Sequence, residues 1–76
     1  MNQRLPSLTA RDVIRALERA GFRQSRQSGS HCRLVHERDS ARKITVPMHN
    51  GDLKRGTLHA IIAQAGFTVK EFLELL

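Results

Sequence analysis

Apolar residues near the start of the chain recur at helical spacing. Four of them follow the i, i+3, i+4, i+7 order of a helix with one buried face: Ala10, Val13, Ile14 and Leu17. Thr9 stands just before this run, and Asp12 lies three residues after Thr9, which is the spacing of a capping box. Gly21 can end a helix in the left-handed conformation. The pattern therefore predicts a helix that begins at Thr9 and is capped by Gly21.

The next part of the chain alternates between apolar and polar residues, as strands do. Alternation is clearest over residues 42–48, where one face carries Ile44, Val46 and Met48. Residues 22–27 and 31–37 predict two further strands, joined by the small-residue turn Ser28-Gly29-Ser30. We expect tight turns to pair the three strands in antiparallel order.

Two helical segments close the chain. The first runs from about residue 54 to 65, with an apolar face formed by Leu58, Ile61, Ile62 and Ala65. The second follows Thr68, which has Glu71 three residues later as its capping-box partner. This α-β-β-β-α(α) order predicts an α+β two-layer sandwich, with helices on one face of a three-stranded antiparallel sheet. The 76 residues give room for a single domain over 1–76.

The formal net charge of +6 indicates a polyanionic partner such as nucleic acid, although solubility alone would also explain it. Beyond Arg55 the only basic residue is Lys70, so the positive charge belongs to the first two-thirds of the chain. The chain has no Trp or Tyr and only three Phe. This composition argues against a surface that binds single strands by base stacking.

Cys32 is the only cysteine, which rules out an internal disulfide and fits a reducing compartment. The longest strictly apolar run, residues 60–63, is too short for a membrane span. We therefore expect a cytoplasmic protein without a membrane partner.

His31 is the principal candidate for chemistry, because histidine exchanges protons near neutral pH. It follows the turn Ser28-Gly29-Ser30 and lies in a run, residues 19–33, without any acidic residue. Gly29 is expected to adopt a positive φ angle. The hydroxyls of Ser28 and Ser30 could donate hydrogen bonds to a phosphate or simply cap the turn. On these residues alone, a histidine in this position is more often a surface residue of a strand than a catalyst.

Basic residues near His31 suggest a phosphate-binding face. Arg33 shares strand parity with His31, Lys43 shares parity with Thr45 on the next strand, and Arg26 precedes the turn. If these faces coincide, they form one positive surface that holds an RNA backbone through charge. A solvated sheet face is the alternative for each of them.

The other candidate side chains favour structural roles. His36 lies an odd number of residues after His31 and should face the opposite side of the strand. His49 belongs to a turn, His59 to the border of a helix, and Cys32 should point into the core. Neither CxxC nor HxxxH spacing nor a carboxylate cluster occurs, so we expect no metal and no cofactor.

The whole pattern resembles the HicA family of bacterial toxins, which cleave messenger RNA and belong to type II toxin–antitoxin pairs. The resemblance rests on six segments: Ala20-Gly21-Phe22, Gln27-Ser28-Gly29-Ser30-His31, Val46-Pro47-Met48-His49, Asp52-Leu53-Lys54-Arg55-Gly56-Thr57-Leu58, Ile61-Ile62 and Gln64-Ala65-Gly66-Phe67. It implies a fold like that of double-stranded-RNA-binding domains and a functional histidine at His31. It also implies messenger RNA as substrate, growth inhibition, and a cognate HicB-like antitoxin as partner.

RNA carries its own nucleophile, the 2′-hydroxyl, so a single histidine amid arginines can support slow cleavage without metal. The alternatives are a non-catalytic double-stranded-RNA-binding-like module and a pure interaction protein whose basic face docks an acidic partner.

Overall fold

Three antiparallel strands form the centre of the computed structural model, which describes residues 4–76. The elements, in chain order, are α1 (Ala10–Arg19), β1 (Phe22–Ser28), β2 (His31–His36), β3 (Asp39–Pro47), α2 (Arg55–Gln64) and α3 (Val69–Leu73). The sheet order is β1-β2-β3. The α+β fold and the order of its elements are thus confirmed.

Helix α1 begins where the capping-box pattern predicts. The Thr9 hydroxyl accepts a hydrogen bond from the Asp12 backbone N–H, and the Asp12 carboxylate accepts one from the Thr9 backbone N–H at 3.0 Å. The hydrogen bond from the Thr9 backbone N–H, followed by the influence of the Thr9 side chain, lowers the pKa of the Asp12 carboxyl. Gly21 follows the helix at φ +97°, and a Cβ there would lie 2.9 Å from the His36 ring, so glycine is required on both grounds.

The strands end within one residue of their predicted bounds, and the main difference is the start of β3. β3 begins at Asp39, three residues before the predicted start, because His36 pairs with Asp39 and only Glu37 and Arg38 are left for the turn. Asp39 stabilises this hairpin through its carboxylate, which accepts a hydrogen bond from the Ala41 backbone N–H at 3.1 Å. The first residues of β3 are polar and do not alternate with apolar ones, so the sequence did not indicate this part of the strand.

One face of the sheet is buried against the helices and the other is open. The inward side chains of β2 and β3 are fully buried: Cys32, Leu34, Ile44 and Val46. They pack in one core with the apolar faces of α1 and α2 and with Phe72 of α3. Apolar burial of this kind contributes about 25 cal/mol per Å² and is the main stabilising term of the domain. The outward face of β2 and β3 carries the polar residues that alternate with these core positions.

Arg42 connects the sheet to the C-terminal end of α2. Its guanidinium lies 5.2 Å from the centroid of the Phe22 ring and 5.7 Å from that of Phe67. It also donates a hydrogen bond to the Ala65 carbonyl at the C-terminus of α2. A cation at this end of a helix interacts favourably with the helix dipole. Arg42 is therefore a structural residue, not a free surface charge.

Candidate nucleic-acid interface

The open face of the sheet contains a shallow depression of about 370 Å³ at the end where the β1–β2 turn lies. Five exposed side chains from all three strands line it: Arg26, Ser28, His31, Arg33 and Thr45. Four of the seven site residues predicted from the sequence therefore come together. Thr45 was expected on this face but was not singled out as a site residue.

Strand pairing explains this grouping. His31 lies opposite Ser28 on β1 and Pro47 on β3, whereas Arg33 lies opposite Arg26 and Thr45. Directly paired residues of antiparallel strands share one face of the sheet. The depression is thus formed by two neighbouring cross-strand rows.

Arg26 reaches this face because β1 is not regular. Phe22 and Gln24 pair with inward-facing positions of β2, and strict alternation would turn Arg26 inward as well. The register instead shifts between Gln24 and Arg26, which leaves Ser25 as the extra residue of a β-bulge. The Ser25 hydroxyl donates a hydrogen bond across the bulge to the Arg33 carbonyl at 3.3 Å. The bulge therefore brings Arg26 directly opposite Arg33.

Two arginines directly opposite each other repel, and like charges in this position destabilise a sheet. No carboxylate lines the depression to neutralise them. Among residues 4–76 the one ion pair is Arg23–Glu37 at 3.1 Å, at the opposite end of the sheet. A bound phosphate would relieve the repulsion, so the depression favours an anion.

The remaining predicted residues lie around the depression. Gly29 has φ +57°, and nothing lies within 4 Å of the place where its Cβ would be, so the turn requires glycine for conformation and not for space. Ser30 anchors the turn, since its carbonyl accepts a hydrogen bond from the Met48 backbone N–H. Lys43 pairs with Val35 on the same open face, two positions beyond the Arg33–Thr45 pair.

His36 lies on the opposite face from His31, as predicted. Its ring packs edge-on against Phe22, with 4.9 Å between ring centroids. Its Nδ1 accepts a hydrogen bond from the Arg38 backbone N–H at 3.2 Å, so Nε2 carries the proton and donates to the Ala20 carbonyl at 3.0 Å. Both ring nitrogens are engaged by backbone groups, which makes His36 a structural residue.

The other predicted structural residues lie as expected. His49 is exposed in the loop after β3, with Nδ1 3.5 Å from the Asn50 carbonyl, and His59 is exposed on α2. Cys32 is buried, and its thiol donates a hydrogen bond to Gln24 Oε1. Burial raises the pKa of the Cys32 thiol, and the negative charge of Glu18 adds to the shift.

Two further properties concern the whole described part of the chain. Within residues 4–76 no three His, Cys, Asp or Glu side chains come together as a possible metal site. No helix in the same residues has the length and apolar character needed to span a bilayer.

Comparison with known proteins gives one relationship. No curated protein matches the chain. The family model described as the HicA toxin of bacterial toxin–antitoxin systems matches residues 10–67, which extend from α1 to just beyond α2 and include the whole depression. This match covers well over half of the 76 residues. The chain therefore belongs to the HicA family, the toxins of bacterial toxin–antitoxin systems.

Proposed function

We propose that this toxin is a metal-independent endoribonuclease that cleaves messenger RNA, with His31 as its catalytic acid or base. The observation that carries the proposal is the placement of His31 in one depression with the opposed cations Arg26 and Arg33. A proton-transfer group beside a phosphate-binding pair is what cleavage of an RNA backbone requires.

The chemistry uses the substrate's own nucleophile. The 2′-hydroxyl oxygen attacks the adjacent phosphorus and loses its proton, while the bond from phosphorus to the 5′-oxygen breaks and that oxygen gains a proton. The products are a 2′,3′-cyclic phosphate and a 5′-hydroxyl. The His31 imidazole accepts the first proton or donates the second, and the arginines stabilise the negative charge on the phosphorane. Water performs the other transfer, so the reaction is slow.

The residues around His31 bind the RNA backbone. We assign phosphate contacts to Arg26, Arg33 and Lys43, and contacts from the turn to Ser28, Gly29 and Ser30. The Ser28 side chain lies in the depression beside His31 and is exposed there. Such contacts position the substrate without reading its bases.

Membership in the family gives this toxin an antitoxin partner in general terms. We propose that the partner is a HicB-like protein that covers the depression, and that the pair acts in the cytoplasm on messenger RNA. A protein that covers His31 and the opposed arginines would exclude RNA from both.

The decisive variant is His31→Ala. Cleavage should fall by about 10²–10⁴-fold, the range typical for loss of general acid–base catalysis, and growth arrest on induction should disappear. RNA binding and the circular dichroism spectrum should persist, because His31 is exposed and charge provides most of the affinity. His59→Ala removes an exposed histidine from α2 and serves as the matched control. A folded His31→Ala protein that still cleaves RNA would rule out this catalyst.

The reaction products test the mechanism separately. Cleavage should continue in excess chelator, leave a 2′,3′-cyclic phosphate and spare DNA of the same sequence. Activity that requires magnesium would contradict the proposed chemistry. Purified wild-type protein that binds RNA without cutting it would favour the alternative function, a non-catalytic double-stranded-RNA-binding-like module.

A further inference from the structure

A second basic surface lies behind the depression, in the groove between α1 and β1. Its lining includes Arg11, Arg15, Glu18, Gln24, Gln27 and Met48, and we call it the α1 groove. We propose that the α1 groove binds the phosphates of the RNA segment that extends beyond the cleavage site. This inference rests on the proposed function and names a second part of the substrate's path.

The arginines of α1 recur every fourth residue on its exposed face, at Arg11, Arg15 and Arg19. Residues at this spacing are neighbours on a helix, with Cβ atoms about 5–6 Å apart. Arg19 donates a hydrogen bond to the Leu75 carbonyl at 2.7 Å and so holds the C-terminus against α1. Within residues 4–76 neither Arg11 nor Arg15 forms a hydrogen bond or an ion pair through its side chain. Arg15 attracts the Asp12 carboxylate at a distance, but neither guanidinium group is held by a direct partner, so both are available to a ligand.

Helix stability does not explain Arg11. It lies in the first turn of α1, where the positive end of the helix dipole disfavours a cation. Arg11 also lines the groove and forms no ion pair with a carboxylate of residues 4–76. A surface charge that slightly destabilises its own helix and has no partner is best accounted for by an anionic ligand.

The α1 groove and the depression lie on opposite sides of the edge strand β1, near its turn to β2. Gln27 and Ser28 are successive residues of β1, and Gln27 lines the groove while Ser28 lines the depression. Met48 also lines the groove, and its backbone N–H donates to the Ser30 carbonyl within the turn before His31. An RNA strand that leaves His31 over this edge of the sheet therefore passes directly onto the groove.

The lining fits RNA better than a protein. A protein interface needs a desolvated apolar centre, whereas the apolar side chains here are Met48 and Ile14, and Ile14 is only 6 % exposed. Gln24 accepts the Cys32 thiol hydrogen at Oε1, which leaves its amide N–H groups available to donate to phosphate. Glu18 reduces the positive potential at one side of the groove, so the groove adds to RNA affinity and does not dominate it.

Salt dependence of RNA binding tests the groove directly. The double variant Arg11→Ala, Arg15→Ala should fold normally, because alanine is the strongest helix former. RNA affinity is to be measured at several salt concentrations with His31→Ala as background, so that cleavage is too slow to disturb binding. Loss of two phosphate contacts should reduce the logarithmic salt slope by about 1.4 for single-stranded RNA. Glu18→Gln should change affinity in the opposite direction and strengthen binding.

A charge-matched control separates local contact from net charge. Arg38→Ala, Lys70→Ala removes the same two charges from the β2–β3 turn and from α3, away from both basic surfaces. Its salt slope should stay close to that of the His31→Ala background. If the control and the groove variant lose slope equally, net charge alone explains the effect and the inference is wrong.

Kinetics with His31 intact identify the part of the substrate that the groove holds. For a long RNA the groove variant should raise KM several-fold and leave kcat unchanged. A dinucleotide substrate cannot reach the groove, so its cleavage should not change. If the groove variant binds and cleaves long RNA like wild type, the groove inference is wrong and the proposed function is unaffected. The same holds if the groove variant loses only antitoxin binding. Wild-type protein that neither binds nor cleaves RNA overturns the proposed function as well.

Discussion

The opposed pair of Arg26 and Arg33 should lower the stability of the free protein and strengthen its binding of RNA. Replacing Arg33 by Gln keeps a long polar side chain on the exposed face and removes the repulsion. The variant should be more stable than wild type and should bind RNA less tightly. The two effects have one cause, because the charge that repels Arg26 in the free protein would attract phosphate in the proposed RNA complex.

The size of the gain follows from the cross-strand geometry. If the two guanidinium groups splay to about 8 Å, Coulomb repulsion in water is about 0.5 kcal/mol, and a Debye length of about 10 Å at 0.1 M salt roughly halves it. This lies within the roughly 0.2–1 kcal/mol range of cross-strand pair effects. For a domain of this size, 1 kcal/mol shifts Tm by about 4–8 °C, so a gain of about 0.5 kcal/mol at low salt raises Tm by about 2–4 °C.

Thermal unfolding followed by circular dichroism measures this gain at low salt and again at about 1 M salt, where the Debye length is about 3 Å. The gain should be present at low salt and absent at high salt. A double-mutant cycle with Arg26→Gln isolates the pair, since the second replacement should add little once the first has removed the repulsion. Arg38→Gln, at the β2–β3 turn, controls for the lower net charge.

Three results would refute this reasoning. Arg33→Gln could be less stable than wild type at low salt, its gain could persist unchanged at high salt, or its RNA affinity could equal that of wild type. The last result would place the RNA elsewhere even if the repulsion were real. A decrease of about 0.7 in the logarithmic salt slope of binding to single-stranded RNA is the expected outcome.

Two further predictions concern the buried face of the sheet. His36→Ala should lower the free energy of unfolding in urea by about 1–3 kcal/mol, because it removes the edge-on contact with Phe22 and the hydrogen bond to the Ala20 carbonyl. The folded variant should still cleave RNA normally. Lost cleavage in a stable variant would contradict the structural assignment of His36. Burial holds the pKa of the Cys32 thiol above its ordinary value of 9.0. As pH rises, the thiol therefore loses its proton in the unfolded chain before it does so in the folded protein. The free energy of unfolding should consequently fall above about pH 9. Urea unfolding at about pH 8 and about pH 10 should show this decline in wild type and a smaller one in Cys32→Ala, and equal declines would contradict it.

Side-chain periodicity was sufficient to predict much of this structure. The capping residues Thr9 and Thr68 begin α1 and α3 as expected, because a capping box is a local arrangement of four residues. The opposite orientation of His31 and His36 followed from strand parity alone. Local rules succeed in these places because neighbouring residues determine the geometry.

Four of the five residues that line the depression were predicted as site residues, but the geometry that brings Arg26 and Thr45 to the others could not be predicted in the same way. Arg26 faces outward only because of the bulge at Ser25, and that bulge involves a hydrogen bond to Arg33 on another strand. Thr45 joins the site through its register opposite Arg33. Both facts depend on which residues pair across strands, and strand register is not encoded in the alternation of a single segment.

The bulge has a consequence for self-association of the toxin. β1 is an edge strand, and all of its residues except Phe22 are exposed. A long, flat edge offers a regular row of backbone N–H and C=O groups to a second copy of the chain and so promotes aggregation. The bulge at Ser25 interrupts this row, and the exposed cation Arg26 repels an identical edge. The irregularity that directs Arg26 toward the depression thus also helps to keep free toxin molecules apart while no partner covers them.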